Sequence, residues 1–290
     1  MSRTVSMRVE VPLRWGDLDA QGHVNNARYL DYLQDARADF LYGLGLDDLL
    51  GKGFVVDINQ IEYRAPVFFS EVPLDADITV ASVDPDSVVL AASLYQNEHE
   101  VAVARTKLSG YAVELRRRRP LPDRAREVFA SMVTVVEPLR QIEWVPMDDH
   151  AKVSSMRVRW SDLDAYDHVN NAIIFDYVQE GRITFTAAPL RGTDETSEFD
   201  NLWFLARQDA WYLNPIVFRK KPYIVRTGVA HIGRTSVTFS SQVDDPTTGT
   251  ICARAAAVAV FADGQGIPTP LTPELREGLS QYHLGEPEPQ

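Results

Sequence analysis

Hydrophobic and polar residues alternate near the start of the chain, and the period then changes to that of a helix. Residues 7–13 alternate as expected for a strand with one buried face. From Asn26 to about Leu44, apolar residues recur every three or four positions, which predicts one long helix. The next stretches with strand character lie near 54–64, 74–83, 87–97 and 100–113. This order predicts a helix that is followed by a meandering antiparallel sheet.

One unusual phrase occurs twice in the chain. The segment from Arg14 to Ala27, RWGDLDAQGHVNNA, returns from Arg159 to Ala172 as RWSDLDAYDHVNNA. The offset is 145 residues, and residues 14–40 share 16 of 27 aligned positions with residues 159–185 without a gap. A match of this length at a constant offset indicates a duplication. We therefore predict two like halves.

The elements of the second half follow in the same order. A strand near 153–159 and a helix over 171–187 come before strands near 202–213, 222–232, 235–243 and 250–262. In this later sheet the offset from the first half rises to 149, so four extra residues lie between the helix and the second strand. We place this insertion in Gly192–Asp200, which is rich in polar residues.

The predicted fold class is α+β, with two tandem domains at 1–115 and 151–290. A linker over 116–150 joins them and is expected to contain a short helix near 123–132. Each antiparallel sheet would pack around its own long helix, and the two like domains would pair about a pseudo-twofold axis. A chain of 290 residues with 45% hydrophobic content can bury two cores of this size.

The charge of the chain limits its partners. A formal net charge of −12 argues against nucleic acid or an anionic membrane as the main partner, because the global field repels phosphate. An anionic ligand would need a local basic pocket. The two basic clusters are Arg116–Arg119 and Arg219–Lys221, which are candidates for binding the phosphate groups of such a ligand or, more simply, solvated charge runs.

Cysteine content and apolar runs indicate the compartment. The single cysteine, Cys252, excludes an internal disulfide, suits a reducing compartment and is expected to be a small buried side chain. The sequence contains neither a signal-peptide pattern nor an apolar run of about 18 residues. We therefore expect a cytoplasmic protein without membrane insertion.

The repeated phrase carries the candidate chemistry. The loop leads into the helix, so we expect the Asp19 carboxylate, and Asp164 in the second copy, to lie close to the free amides of the first helical turn. Those amides can stabilise an oxyanion that develops on a carbonyl, while the carboxylate attacks the carbonyl or activates water. This set suffices for a thioester, since a thiolate leaves without strong acid help. A Gly-x-Ser-x-Gly nucleophile elbow is absent from the sequence.

The longer phrase RWGDLDAQGHVNNARYLDY resembles the signature of hotdog-fold acyl-CoA thioesterases, of the 4-hydroxybenzoyl-CoA thioesterase-like and long-chain acyl-CoA thioester hydrolase types. It is also similar to the DLDxxxHVNN stretch of plant acyl-ACP thioesterases. The resemblance covers both halves and implies two tandem hotdog domains. It implies catalytic carboxylates at Asp19 and Asp164, helix-start amides that polarise the carbonyl at Asn26 and Asn171, and following histidines at His23 and His168. No cofactor is expected, and a metal site would lack further ligands.

The two copies depart differently from that family pattern. The plant enzymes carry a catalytic asparagine two residues beyond the catalytic aspartate, where this chain has Gln21 and Tyr166. Gln21 could imitate the amide, whereas Tyr166 cannot do so directly. Gly22 of the first copy is replaced by Asp167. The sequence therefore favours the first copy as the better-preserved site, although family sites form across the pair of domains.

Several repeated polar residues have simpler interpretations. We expect Asp17 and Asp162 to order the loop, and Asn25 and Asn170 to cap the helices. Three further positions are repeated on the two helices and are expected to form a polar network between helix and sheet. They are Gln34/Gln179, Asp35/Glu180 and Arg37/Arg182.

The leading prediction is a thioester hydrolase that converts fatty acyl-CoA to free fatty acid and coenzyme A. An acyl-ACP substrate is the nearest alternative. Two further alternatives are an enoyl-thioester hydratase or dehydratase of the same fold and a non-catalytic acyl-CoA sensor. We also expect the chain to assemble into homo-oligomers. Chain-length preference is not readable from any motif.

Overall fold

The structure is a computed structural model that describes residues 6–186 and 201–285. The insertion predicted in Gly192–Asp200 lies outside the described residues. Contacts divide the chain into two compact units. The first unit contains Met1–Arg140 and Leu163–Ala172, and the second contains Gln141–Asp162 and Ile173–Gln290. This division differs from the duplicated segments in one place, because part of the second copy of the phrase packs in the first unit.

The first unit is a helix packed on an antiparallel sheet. Its strands are β1 (Met7–Val11), β2 (Phe54–Tyr63), β3 (Leu74–Val83), β4 (Ser87–Gln96), β5 (His99–Ala112) and the short β6 (Arg117–Arg118). The order across the sheet is β1-β3-β4-β5-β2, and β6 pairs with the end of β5. Helix α1 (Tyr29–Gly43) packs against β1 and β3, and α2 (Asp123–Ser131) packs against β3.

The second unit repeats this arrangement. Its strands are β7 (Lys152–Met156), β8 (Asn201–Tyr212), β9 (Tyr223–Ile232), β10 (Ser236–Asp245) and β11 (Thr250–Asp263). The order β8-β11-β10-β9-β7 matches that of the first sheet, element for element. Helix α3 (Ile173–Thr186) packs on this sheet, and α4 (Pro273–Ser280) contacts β9. The α+β architecture that the sequence predicts for each half is confirmed.

The apolar period of the first helix explains how it is held. Tyr29, Leu33, Ala36 and Phe40 lie on the buried face of α1, and Ala36 and Phe40 have no exposed surface. Spacing of three and four residues places these side chains in one stripe that packs on the sheet. In the second sheet Cys252 is buried, as predicted, and burial raises its pKa to about 11.

Three details differ from the sequence-based prediction. The helix predicted from Asn26 starts with a 3₁₀ turn over Asn26–Arg28, and α1 begins at Tyr29. The first residues of the predicted linker include β6, which folds back on β5 as a hairpin. Helix α2 lies where the short linker helix was predicted, whereas its counterpart α4 was not predicted.

The described residues contain neither a membrane-spanning helix nor a cluster of metal-binding side chains. None of their helices is both long enough and apolar enough to cross a membrane. Within the same residues, no group of three or more His, Cys, Asp or Glu side chains is placed to hold a metal ion.

Candidate functional site

The first copy of the phrase folds as a tight hairpin before the helix. The N–H of Asp19 donates to the carbonyl of His23 at 2.8 Å, and the N–H of Gly22 donates to the carbonyl of Asp19 at 3.1 Å. Gly22 has a φ of +80°, a conformation that glycine adopts without strain. Asp19 Oδ1 accepts the N–H of Gln21 at 2.8 Å. The Asp19 carboxylate therefore also stabilises the turn in which it lies.

The second copy forms the same hairpin, but Asp167 stands at the positive-φ position that Gly22 occupies in the first copy. The N–H of Asp164 donates to the carbonyl of His168 at 2.7 Å, and the N–H of Asp167 donates to the carbonyl of Asp164 at 3.2 Å. Asp167 has a φ of +59°, although it has a Cβ. Aspartate tolerates this region better than most residues, yet it is strained there relative to glycine. Asp164 Oδ1 accepts the N–H of Tyr166 at 2.8 Å.

The earlier aspartate of each phrase ties the loop to its helix. The hydroxyl of Tyr32 donates to Asp17 Oδ2 at 2.7 Å, and that of Tyr177 donates to Asp162 Oδ2 at 2.5 Å. Burial and these hydrogen bonds raise the pKa of both tyrosines above the usual value. This geometry confirms the loop-ordering interpretation of Asp17 and Asp162.

The asparagines at the helix starts are N-caps, as predicted. Asn25 Oδ1 accepts the N–H of Ala27 at 2.9 Å, and Asn170 Oδ1 accepts the N–H of Ala172 at 3.0 Å. Each cap orders the first helical turn. The cap's side chain does not accept the N–H of the next residue, Asn26 or Asn171. In the first copy, the N–H of Asn26 donates to no acceptor within the described residues, and its carbonyl accepts the hydroxyl of Tyr63 at 2.9 Å.

In the first loop, the carboxylate, histidine and glutamine close into a ring. Asp19 Oδ2 lies 3.3 Å from His23 Nδ1, and His23 Nε2 lies 3.1 Å from Gln21 Oε1. The ring of Phe68 meets the imidazole edge to face at 6.4 Å between centroids. Both oxygens of the Asp19 carboxylate and both nitrogens of the imidazole are therefore engaged inside the loop.

In the second loop, the carboxylate is held at one oxygen only. Asp164 Oδ1 accepts the N–H groups of Tyr166, at 2.8 Å, and of His168, at 3.3 Å. Asp164 Oδ2 accepts no hydrogen bond from any residue in 6–186 or 201–285. The side chain is half-buried, and burial raises the pKa of this carboxyl above its ordinary value of 3.8.

The histidine beside this carboxylate is biased toward its neutral form. Burial lowers the pKa of His168 most, and the charge of Arg116 lowers it further. The Asp164 carboxylate acts against both effects but does not reverse them. A pKa below the ordinary value of 6.5 leaves the imidazole uncharged at neutral pH.

A polar network fixes the asparagine at the start of the second helix. The amide of Asn171 donates to Gln34 Oε1 at 3.1 Å, and its carbonyl oxygen accepts the Asn59 amide at 3.0 Å. The hydroxyl of Thr106 donates to Asn59 Oδ1 at 2.8 Å. Asn59 is 1% exposed, so this network is anchored in the core of the first unit. Buried amides in such a network hold one geometry, because breaking any bond leaves a desolvated polar group.

The aromatic residue of the second loop anchors the loop on the first sheet. The hydroxyl of Tyr166 donates to the carbonyl of Phe54, at the start of β2, at 2.8 Å. Its ring meets the ring of Tyr111 on β5 at 5.9 Å between centroids. Burial raises the pKa of Tyr166 to about 12, so it remains a hydrogen-bond donor at neutral pH. Tyr166 therefore holds the second loop in position on the first sheet.

The second loop has the parts needed for acyl transfer chemistry. It presents an oriented carboxylate with one oxygen available, a neutral histidine and a capped helix start. A carboxylate with a raised pKa is a stronger base than an ordinary one, and helix-start amides are preorganised donors for an oxyanion. The same arrangement can also support direct attack by the carboxylate.

Comparison with known proteins identifies the family. The sequence profile of the Thioesterase-like superfamily matches residues 13–129 and again residues 158–279. The chain belongs to the Thioesterase-like superfamily. Family membership indicates a thioester hydrolase, which confirms the enzyme class predicted from the repeated phrase. Both matches include a copy of that phrase, so each thioesterase-like domain carries its own candidate loop.

Solved structures show the same fold over nearly the whole chain. A protein of Lactobacillus plantarum described as an oleoyl thioesterase is 16% identical, with a TM-score of 0.68, over 88% of this chain and 95% of that one. An acyl-ACP thioesterase of Bacteroides thetaiotaomicron is 12% identical, with a TM-score of 0.64, over 89% and 97%. The 12:0-ACP thioesterase of Umbellularia californica is 12% identical, with a TM-score of 0.65, over 89% and 94%. These matches confirm the predicted tandem hotdog fold.

No curated protein sequence matches the thioesterase-like chain significantly. The residue assignments within the loops therefore depend on the geometry described above.

The structure places the predicted site residues in two separate sets. Asp19, His23 and Asn26 belong to the first loop, and Asp164, His168 and Asn171 to the second, and both sets lie in segments of the first unit. The expected approach of each carboxylate to the helix-start amides stays a prediction. Sequence reasoning missed Asn59 and the anchoring role of Tyr166. The repetition of Gln34 and Gln179 did signal a polar network, but the partner of Gln34 is Asn171 of the loop.

Proposed function

We propose that this thioesterase-like protein hydrolyses fatty acyl-CoA to free fatty acid and coenzyme A, with Asp164 as the catalytic carboxylate. The observation that supports this choice most is the state of that carboxylate. One oxygen is fixed by two backbone N–H groups, and the other accepts no bond from the described residues. A half-buried carboxylate that is oriented and still available to a ligand is what a general base or nucleophile requires.

The proposed reaction needs only groups of this loop and water. Asp164 Oδ2 takes a proton from water as the water oxygen attacks the thioester carbonyl, and the helix-start N–H of Asn171 stabilises the oxyanion. Collapse of this intermediate breaks the carbon–sulfur bond. The coenzyme A thiolate leaves with the electron pair and then recovers the proton from Asp164. Neutral His168 adds no second charge beside the reacting groups.

Direct attack by Asp164 is the alternative route to the same products. Its carboxylate would displace the thiolate and form a mixed anhydride, which water then hydrolyses. The two routes differ in whether an acyl-enzyme forms. In ¹⁸O-labelled water under single-turnover conditions, the label enters the Asp164 carboxyl only if water opens a mixed anhydride at the Asp164 carbonyl carbon. Label in the Asp164 carboxyl after one turnover supports direct attack.

The first loop is proposed as the less active copy. Its carboxylate and its histidine are engaged with each other and with Gln21 and its N–H. A reacting water would have to displace one of these bonds. The first copy was the one favoured by its closer match to the family phrase, and the geometry of the second copy supports a different choice.

The test is thiol release from a panel of acyl-CoA substrates with two to eighteen acyl carbons. Wild type is compared with the double variant Asp19→Asn/Asp164→Asn, whose amide oxygens can still accept the turn N–H groups. We expect turnover by wild type and loss of about 10²-fold or more in kcat/KM for the double variant. Full activity in a folded double variant would contradict a role for these carboxylates.

The carrier is tested in the same assay. The fold matches include proteins described as acyl-ACP thioesterases, so acyl-ACP is the second candidate substrate. Turnover of acyl-ACP without turnover of acyl-CoA would move the proposal to that carrier. Tight binding of acyl-CoA without any turnover would instead support a sensor.

A further inference from the structure

Four consecutive arginines lie at the end of a hairpin in the first unit. Strand β5 ends at Ala112, and the chain turns through 113–116 so that Arg117 and Arg118 pair with Ala112 and Tyr111. Arg116 has a φ of +48° at this turn. All four arginines of Arg116–Arg119 are exposed. The hairpin therefore presents a concentrated positive charge on a chain whose net charge is −12.

The hairpin is firmly seated on the sheet. Arg118 binds the Asp57 carboxylate at 2.6 and 2.9 Å, and that carboxylate also accepts the hydroxyl of Ser109. The N–H of Arg119 donates to the carbonyl of Gly110 at 3.0 Å. A Cβ on Gly110 would come within 2.4 Å of the Arg119 carbonyl oxygen, so only glycine allows this approach. One arginine of the four thus serves to fix the hairpin.

The other three arginines have no comparable structural role. Within the described part of the chain, the side chains of Arg116, Arg117 and Arg119 form no hydrogen bond or ion pair. Glu114 is the single acidic residue of the turn. Like charges at this spacing repel one another, and none of the residues in 6–186 or 201–285 forms an ion pair with these three. An anionic ligand would supply it.

The duplicated hairpin shows that the fold does not require this charge. The second unit also has a turn after β11, one residue longer, where the N–H of Asp263 donates to the carbonyl of Ile267 at 3.0 Å. Its sequence, DGQGIP over 263–268, contains no basic residue. A turn therefore follows the last long strand in both units, and only the turn of the first unit carries arginines.

The hairpin lies beside the second loop. Tyr166 of that loop contacts the ring of Tyr111, which is the cross-strand partner of Arg118. Arg116 is close enough for its charge to act on His168, and Arg119 acts in the same way on Tyr166. The arginines are thus adjacent to the proposed catalytic loop without entering it. A thioester whose anionic end is separated from its acyl group by a spacer fits this arrangement.

We infer that Arg116, Arg117 and Arg119 of the β5–β6 hairpin bind the phosphate groups of coenzyme A while its thioester lies at the second loop. This inference rests on the proposed function. Guanidinium groups match phosphate oxygens with paired N–H donors, which favours arginine over lysine at such a site. A small nucleotide experiences mainly the local charge, whereas a large acidic carrier protein would also be repelled by the net charge of −12.

The test measures binding of free coenzyme A by calorimetry, so it does not depend on turnover. Wild type is compared with Arg116→Gln/Arg117→Gln and with the matched control Lys220→Gln/Lys221→Gln, which removes two exposed positive charges from the second unit. We expect the arginine variant to bind coenzyme A about tenfold more weakly or worse, because charged hydrogen bonds are lost. The lysine variant should bind within about twofold of wild type.

A substrate without phosphate groups tests whether the arginines act through the phosphates of coenzyme A. Hydrolysis of an acyl-pantetheine thioester should be the same for Arg117→Gln and wild type, because that substrate has no phosphate for Arg117 to bind. The affinity of wild type for coenzyme A should also fall more steeply with salt than that of the arginine variant.

Each contrary outcome is distinct. Unchanged coenzyme A binding by the arginine variant, or a loss of acyl-pantetheine hydrolysis by Arg117→Gln, would overturn the inference even if wild type hydrolyses acyl-CoA. Loss of acyl-ACP hydrolysis with normal coenzyme A binding would assign the hairpin to a carrier protein and also overturn it. Hairpin-dependent coenzyme A binding without hydrolysis would instead contradict the proposed function alone.

Discussion

The two copies of the phrase show how a few substitutions accompany a change in the state of a site. In the first loop, Gln21 remains in the loop and binds His23, which in turn binds Asp19. In the second loop, Tyr166 leaves the loop and bonds the carbonyl of Phe54. The carboxylate of Asp164 then keeps one oxygen available. Two hairpins with the same backbone hydrogen bonds therefore differ in what they offer to a ligand.

The supports of the two loops also differ. The second loop is fixed through Asn171 to a buried network, whereas the carbonyl of Asn26 accepts a single tyrosine hydroxyl. Fixing the helix start preorganises the N–H donors that face a developing oxyanion. Fixed donors lower the activation barrier of the reaction more than mobile donors do. The comparison therefore predicts that damage to the support of the second loop affects catalysis.

The largest stability effect is expected from Asn59→Leu. This substitution keeps the size of the side chain but removes the bond to Asn171 and leaves the Thr106 hydroxyl without its acceptor. We expect a loss of about 3 kcal/mol in the free energy of unfolding, because the buried Thr106 hydroxyl and the half-buried Asn171 side chain each lose a hydrogen bond. Urea unfolding measures this loss, and kcat with acyl-CoA should fall with it.

Thr106→Val is the matched control for this prediction. It removes only the outer bond of the network and keeps the bond between Asn59 and Asn171. We expect a loss of about 1 kcal/mol with kcat little changed. If Asn59→Leu unfolds at the same urea concentration as wild type, the network does not hold the loop.

A smaller effect should follow when the residues at the positive-φ positions are exchanged between the loops. Asp167→Gly should raise the free energy of unfolding by about 1 kcal/mol, since glycine adopts this conformation without strain. Gly22→Asp should lower it by about the same amount. Thermal or urea unfolding of the two single variants measures both changes. Two changes of the same sign would show that the turns are not equivalent.

The smallest expected effect is the pH dependence of the free energy of unfolding, for which we predict the direction of the change. The pKa of Asp164 is higher in the folded state than in the unfolded state, so the protonated carboxyl favours the folded state. This contribution to the free energy of unfolding is complete below the unfolded-state pKa of 3.8, and it is lost as pH rises through the folded-state pKa. The side-chain amide of the Asp164→Asn variant is neutral at every pH in this range. That variant should therefore gain stability over wild type as pH rises from acid to neutral.

Urea unfolding at a series of pH values measures that gain. A difference between Asp164→Asn and wild type that shrinks as pH rises would contradict the proposed burial of the carboxylate. The same raised pKa places the acid limb of kcat/KM above the range of an ordinary aspartate, because activity requires the ionised form.

Much of the fold could be predicted because local patterns determine it. The repeat of the phrase indicated the duplication, the apolar periods located both long helices and every long strand, and the N-caps followed from Asn25 and Asn170. These features depend on neighbours within a few residues. Helix α4, eight residues long, was missed, although Thr272 followed by Pro273 marks its start.

The support of the candidate site could not be predicted because its partners are distant in sequence. Asn59 and Asn171 are 112 residues apart, and a single polar residue in an apolar strand does not indicate its partner. Nor does the sequence show that Leu163–Ala172 packs in the first unit. The sequence shows Tyr166 as a departure from the family phrase, but only the structure shows the bond to Phe54.

The central claim is that the second loop carries the chemistry, and one measurement tests it most directly. The value of kcat/KM for the preferred acyl-CoA is determined for Asp164→Asn and for Asp19→Asn, with folding checked by circular dichroism. The account predicts a loss of about 10²- to 10⁴-fold for Asp164→Asn and a change within about threefold for Asp19→Asn. A large loss for Asp19→Asn with Asp164→Asn near wild type would contradict it.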